Sequence, residues 1–287
     1  MPLPLGVAAA VLVGVLTALQ ARANGSLSAA ITDGFVAAAI SFGSGLVILV
    51  ALTLTLPAGR AGLRRLRAGR RSGDIPVWML LGGLAGAFSV ITQTLTVATV
   101  GVALFTVGVV AGQTVNGLVL DRVGFGPAGI VPVTAQRLVG GVLAIVAVGV
   151  CVAGGVASEL WWMLVLPVLA GAGIAWQQAT NGRLRQRVDS PLTATLANFA
   201  GGTVVLVIAA VIHVAAVGAP ATIVADGWMY LGGALGVVYI FLSAAVVRTT
   251  GVLILGLGSV VGLLTTSVAL DAVWPAPSAP ALGWAVG

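Results

Sequence analysis

The chain contains no lysine, one histidine and one cysteine among 287 residues, and only 7% of it is charged. Each scarcity closes off a class of function. A P-loop needs a lysine for the phosphates, so an ATP-driven pump is excluded on this chain. The single cysteine, Cys151, lies in an apolar run, which rules out an intrachain disulfide and makes it a packed thiol. The seven acids are Asp33, Asp74, Asp121, Glu159, Asp189, Asp226 and Asp271, and every one falls at or beyond the end of an apolar segment. No ionisable group therefore marks a proton or ion path through a bilayer centre. His213 falls near an outer segment end, as an interfacial side chain. No paired-carboxylate, HExxH or GxSxG constellation stands within the apolar segments, which argues against an enzyme. Nothing calls for a cofactor or a metal.

What is present is apolar surface. At 59% hydrophobic residues and a mean hydropathy of +1.16, there is too little polar surface to cover a soluble domain of this length. The pattern predicts an all-α, polytopic membrane protein in which the lipid bilayer is the solvent. A spanning helix needs about 20 mostly apolar residues. That length can be laid down at 3–22, 34–56, 76–98, 101–120, 137–156, 160–181, 192–216, 228–247 and 251–271. The first run resembles a signal peptide, with Ala21-Arg22-Ala23 as a cleavage site, but nothing basic precedes it, so it is read as a retained helix.

All thirteen basic residues are arginine. Arg60, Arg64, Arg65, Arg67, Arg70, Arg71, Arg122, Arg137, Arg183, Arg185, Arg187 and Arg248 fall on the side that holds the amino terminus, and Arg22 alone on the other. The positive-inside rule then makes the amino terminus cytoplasmic and, after nine crossings, the carboxyl terminus external. The same distribution, basic residues in loops between apolar segments, argues against a nucleic-acid partner. Residues 57–75, with six of the arginines, read as a topogenic cytoplasmic loop. Gly124, Gly126 and Gly129 have GxGxxG spacing, but they lie between two apolar segments rather than after a strand, so a dinucleotide site is not expected. Trp78, Trp161, Trp162 and Trp228 stand at segment entrances as interfacial anchors.

The chain also repeats itself. Gly14, Gln20, Asn24, Gly25, Leu27, Phe42 and Gly45 return 157 positions later as Gly171, Gln177, Asn181, Gly182, Leu184, Phe199 and Gly202. Trp78, Gly82, Gly83, Gly86, Gly101, Gly108, Gly112, Leu120 and Asp121 return 150 positions later. Two units follow, 1–156 with five helices and 157–287 with four and a truncated fifth. Five crossings leave the second unit starting on the opposite face, so the halves should be inverted, which is the architecture of secondary transporters. Asp271 matches Asp121, yet only sixteen residues follow it, with Pro275, Pro277 and Pro280 among them. The tenth span is therefore expected to be missing or truncated, which favours a homodimer or a second subunit over the uncovered helix.

Leu19-Gln20-Ala21-Arg22-Ala23-Asn24, Ala39-Ile40-Ser41-Phe42-Gly43-Ser44-Gly45, Trp78 to Gly86, and Gly112-Gln113 leading into Leu120-Asp121-Arg122-Val123-Gly124 resemble the drug/metabolite transporter superfamily. Within it they are similar to the YdcZ-type inner-membrane exporters, well over 3–156 and more loosely over 160–271. Those proteins are known as single five-helix units and as fused pairs, so the resemblance implies a ten-helix inverted-repeat fold in a bacterial cytoplasmic membrane. The second half departs from the first at Leu263 and Thr266, where Gln113 and Asn116 stand.

Inside the segments the remaining chemistry is amide and hydroxyl. Gln20 with Asn24, and Gln177 with Asn181, share a helix face at a spacing of four, Gln113 and Asn116 are neighbours at three, and Gln93 lies between Thr92 and Thr94. With Trp176 and Tyr239 these are the candidate substrate contacts, each open to a second reading as interhelical glue. Gln113 is favoured because it sits deepest in its segment. The expectation is a secondary transporter, an exporter of a small neutral, zwitterionic or weakly amphipathic metabolite. The alternative is a non-transporting accessory subunit, including a helper in moving a lipid-linked molecule.

Overall fold

A computed structural model of the chain describes residues 2–132, 134, 135, 138, 139, 141, 142, 146, 165–220 and 226–273, with side chains omitted at 97–104 and 271. Most of the segment expected at 137–156, Cys151, Glu159, Trp161, Trp162 and the tail after 273 lie outside these residues. All regular structure among them is helical: α1 Leu3–Ile31, α2 Gly34–Thr55, α3 Pro57–Ser72, α4 Gly82–Arg122, α5 Val165–Val188, α6 Pro191–Val217 and α7 Gly232–Val273. Short 3-10 turns, Val77–Leu80 and Gly227–Leu231, lead into α4 and α7. Among the described residues, four runs are long and apolar enough to cross a membrane: Leu3–Ile31, Gly34–Thr55, Pro191–Val217 and Gly227–Leu270.

The helix ends follow local chemistry. Asp33 caps α2 by accepting from the Phe35 and Val36 amides at 3.0 Å, and Ser190 caps α6 by accepting from Thr193 N at 3.2 Å. The residues just before them, Thr32 and Asp189, are the two non-glycine residues with positive φ among those described, at 54° and 48°. Both pairs are 157 positions apart, so the chain turns the same corner in each repeat. The first helix runs on to Ile31, past the end at 22 that hydropathy suggests, because the helix continues through Arg22 and Asn24 to this corner.

Residues 57–72 are a helix rather than a loop. Proline stands in the first turn, leucine, alanine and arginine are good helix formers, and Gly73 at φ 83° ends it. Its glycine side packs on the bundle, Gly59 against the backbone of Thr53 and Gly62 against Ser190 and Thr193. Arg65 donates to Val188 O at 3.0 Å and pairs with the Asp189 carboxylate at 3.6 Å.

At 41 and 42 residues, α4 and α7 would each be about 60 Å long if straight, about twice a hydrocarbon core. Both double back. In α7, Gly251 leaves helical geometry at φ 74°, ψ 172°, a conformation that glycine adopts without strain. Gly232 and Gly236 meet Asn24 and Gln20 of α1 in descending order, whereas Gly258 and Gly262 meet Ala10 and Val11 in ascending order. The same holds for α4 on α5: Gly82 and Gly86 meet Asn181 and Gln177, then Gly108 and Gly112 meet Pro167 and Val168. The reversal in α4 lies between Gly86 and Gly108, so the expected segments 76–98 and 101–120 are the two arms of one hairpin.

Each hairpin therefore grips the first helix of the other half. A methyl group on Gly14 would overlap the Ser259 carbonyl, and one on its counterpart Gly171 would overlap that of Val109. Lipid offers no hydrophobic drive between helices, so such backbone approach supplies the association through dispersion contacts. Between the halves α2 and α6 cross antiparallel, the Phe42 ring lying against Gly202 and the Phe199 ring against Gly45, with ring centroids 5.2 Å apart.

Candidate functional site

Four of the amides chosen from sequence, Gln20, Asn24, Gln177 and Asn181, lie at glycine crossings in two sets. In the set on α1, Gln20 Nε2 donates to Gly232 O at 3.0 Å and rests against Gly236. Asn24 Oδ1 and Ser41 Oγ both point at Gly232, and neither has a hydrogen-bond partner although both atoms are buried. In the set on α5, Gln177 Nε2 and Asn181 Nδ2 both donate to Asn198 Oδ1, at 2.8 and 2.9 Å. Asn198 is 1% exposed, and its own Nδ2 is buried without an acceptor.

Ser41 and Asn198 belong to these crossings, and the sequence reading did not single them out. They are repeat mates, 157 positions apart, but they differ in residue type, so a search for identities passes over them. The difference has a chemical consequence. Asn198 knits one crossing together, while the shorter Ser41 leaves an acceptor and a hydroxyl unpaired in the other. Each buried polar group without a partner costs about 1–3 kcal/mol.

Gln113 is 5% exposed and sits where three helices meet, its side chain against Gly256 of α7 and its backbone amide against Gly171 of α5. Asn116, one turn on, donates from Nδ2 to Ala172 O at 2.7 Å, which ties α4 to α5. Gln93 is exposed and takes no part in either crossing, although its neighbour Thr92 is buried. Trp176 and Tyr239 are half-buried and pack on the apolar cluster around Ala10, Val13 and Ala175, and Tyr239 also reaches the cluster that contains Phe42 and Phe199. The structure thus brings Gln20 and Asn24 together with Ser41, and Gln177 and Asn181 together with Asn198. Gln113 stands on its own helix crossing. Gln178, with no polar counterpart in the first half, is buried and its Oε1 has no partner.

Among the described residues, one carboxylate is fully enclosed by the bundle. Asp121, at the end of α4 and 0% exposed, accepts from Val252 N at 2.8 Å and from Leu253 N at 3.1 Å. These are the first amides after the break at Gly251, where a new helix arm begins with donors that no preceding carbonyl can satisfy. The position agrees with an acid at a helix end, and the partner comes from the other half of the chain. The GxGxxG loop continues from here. Gly124 O accepts from Arg183 Nη2 at 2.8 Å and Gly126 lies against Val252, so this loop serves to pack the bundle end. The Arg183 guanidinium lies 4.8 Å from the Phe125 ring centre. At the opposite end His213 Nε2 stands 3.8 Å from the Asp33 carboxylate and packs on Phe35, which joins α6 to the start of α2.

No group of three or more metal-ligating side chains occurs among the described residues. Residues 5–150 and 162–281 match the family model described as "Putative inner membrane exporter, YdcZ". Neither a curated protein nor a solved structure matches the chain.

Proposed function

Because the chain belongs to the YdcZ family of inner-membrane exporters, we propose that it is a secondary transporter that moves a small neutral, zwitterionic or weakly amphipathic metabolite by alternating access. The observation that carries this reading is the reciprocal grip of the two hairpins. Each half holds the first helix of the other through glycine contacts at matching positions, and α2 and α6 cross antiparallel on Phe42 and Phe199. Two inverted repeats built this way, 1–156 with five helices and 157–287 with four and a truncated fifth, have two related crossings that can part in turn. Small residues at a crossing allow sliding because no side chains interlock there.

The chemistry of those crossings supports the substrate class. Asn24 Oδ1 and Ser41 Oγ on one side and Asn198 Nδ2 on the other supply acceptors and a donor without a fixed charge. Gln113 adds an amide at the α4–α7 crossing. A strongly charged substrate would find no countercharge in these groups, whereas a neutral or zwitterionic one could exchange its water for amide contacts. The orientation that we propose, with the amino terminus cytoplasmic and nine spans, rests on the arginine distribution and the hairpin geometry.

Flux through liposomes that contain the purified protein alone tests the function. Screening first by thermal shift selects the ligand, since a bound substrate raises the melting temperature by mass action. A protein that binds no metabolite and carries none across the bilayer would return the reading to an accessory subunit.

A further inference from the structure

Several of the arginines have identifiable partners. Arg60 donates to the Leu54 and Thr55 carbonyls, Arg65 pairs with Asp189, Arg70 donates to Ile75 O, and Arg183 is held by Gly124 and two aromatic rings. Arg185 and Arg248 differ from these. Among the described residues neither side chain has a hydrogen bond or an ion pair, and Arg185 Nε is enclosed without an acceptor. The two line the same cleft between α5 and α7, about 470 Å³ in volume, whose other walls are Leu242, Ala245, Val246 and Thr249.

Both arginines sit close to the end of a helix arm. Arg185 is in the last turn of α5, and Arg248 is three residues before the break at Gly251. The partial negative charge of a helix carboxyl end attracts a guanidinium but offers it no carboxylate. Two guanidiniums and a hydroxyl beside apolar walls give the cleft two characters. The guanidiniums match a phosphate group in bidentate fashion, and Leu242, Ala245 and Val246 suit the glycerol and first methylenes attached to it. The volume lies within the usual range of about 300–1,000 Å³ for a small-molecule site. Inorganic phosphate would use only the arginines and the hydroxyl of this cleft. Anionic phospholipid would use all of it, and the arginine-rich end of the chain is the one that faces the cytoplasmic leaflet under the proposed orientation.

We propose that the Arg185–Arg248 cleft binds the phosphate headgroup of an anionic phospholipid, at a site separate from the amide crossings. Native mass spectrometry of the detergent-purified protein, titrated with phosphatidylglycerol, phosphatidylcholine or inorganic phosphate, tests this. One phosphatidylglycerol per chain should be retained ahead of further adducts, and phosphatidylcholine and inorganic phosphate should each bind at least about tenfold more weakly. Arg248→Gln should weaken phosphatidylglycerol binding by about tenfold and the Arg185→Gln/Arg248→Gln pair by more, since each loses a charge-assisted contact. Arg187→Gln, an exposed arginine that does not line the cleft, is the control for a general basic field and should bind as wild type does. Melting curves identify any variant that has lost its fold, and Arg248→Gln, at an exposed position, keeps the test available if the double variant does not fold. Undiminished phosphatidylglycerol binding in folded Arg248→Gln, an equal loss in Arg187→Gln, or inorganic phosphate binding as tightly as the lipid would each overturn the proposal.

Discussion

Replacing Asp121 with alanine tests whether one buried carboxylate holds the break in α7. The two oxygens accept from Val252 N and Leu253 N at 2.8 and 3.1 Å, and the residue is fully enclosed, so water cannot take over either bond. Hydrogen bonds to a charged acceptor contribute about 1.5–3 kcal/mol each, which puts the loss for Asp121→Ala at about 3–6 kcal/mol. An asparagine side chain at this position would keep one acceptor and present an amino group to the second backbone donor, so Asp121→Asn should lose roughly half as much, about 1.5–3 kcal/mol. For a chain of this size the alanine variant should melt on the order of 10 °C lower and the asparagine variant on the order of 5 °C lower. Thermal unfolding in one detergent at one scan rate measures this, because unfolding of such proteins is commonly irreversible and the apparent midpoint depends on rate. Asp74→Asn is the matched control, since Asp74 is exposed and bonds only to Ser72 Oγ at 2.6 Å, and its effect should stay within about 0.5 kcal/mol. An Asp121→Ala protein that melts with wild type would refute the capping argument. An equal fall in Asp74→Asn would trace the effect to loss of negative charge in general.

Three further outcomes are expected. Gly112→Ala places a methyl group on the Val168 carbonyl and should destabilise by about 1–3 kcal/mol, whereas Gly43→Ala, with open space around the new atom, should stabilise α2 by about 0.5–1 kcal/mol, both read from melting midpoints. Gln113→Leu should slow substrate flux in liposomes about fivefold, the value of one hydrogen bond of about 1 kcal/mol, with the melting temperature nearly unchanged; Gln178→Leu should leave flux as it is. Equal effects at the two positions would place Gln113 among the packing residues. A reporter active only in the cytoplasm should be silent when fused after Gly287, and activity there would reverse the arginine-based orientation.

The membrane class, the helical content and the repeat are properties of the sequence because each follows from composition or local pattern. A mean hydropathy of +1.16 leaves a bilayer as the workable solvent, and glycine pairs such as Gly14 and Gly171 recur at a fixed offset whatever they touch. Gln20, Asn24, Gln177 and Asn181 were legible for the same reason, as repeated polar positions in apolar runs. Local pattern misjudged α3, where charge density suggested a loop and helix propensity with a glycine packing side made a helix. Partners depend on contacts between residues far apart in the chain, and no local signal carries them. Tertiary structure alone decided that Asn198 joins Gln177 and Asn181 while Ser41 leaves Asn24 unpaired, that Asp121 caps an arm 131 positions away, and that each hairpin closes on the other half's first helix. The physical reason is that a backbone amide freed by Gly251, or an amide side chain enclosed at a crossing, must find its acceptor in three dimensions, and the sequence states only that the need exists.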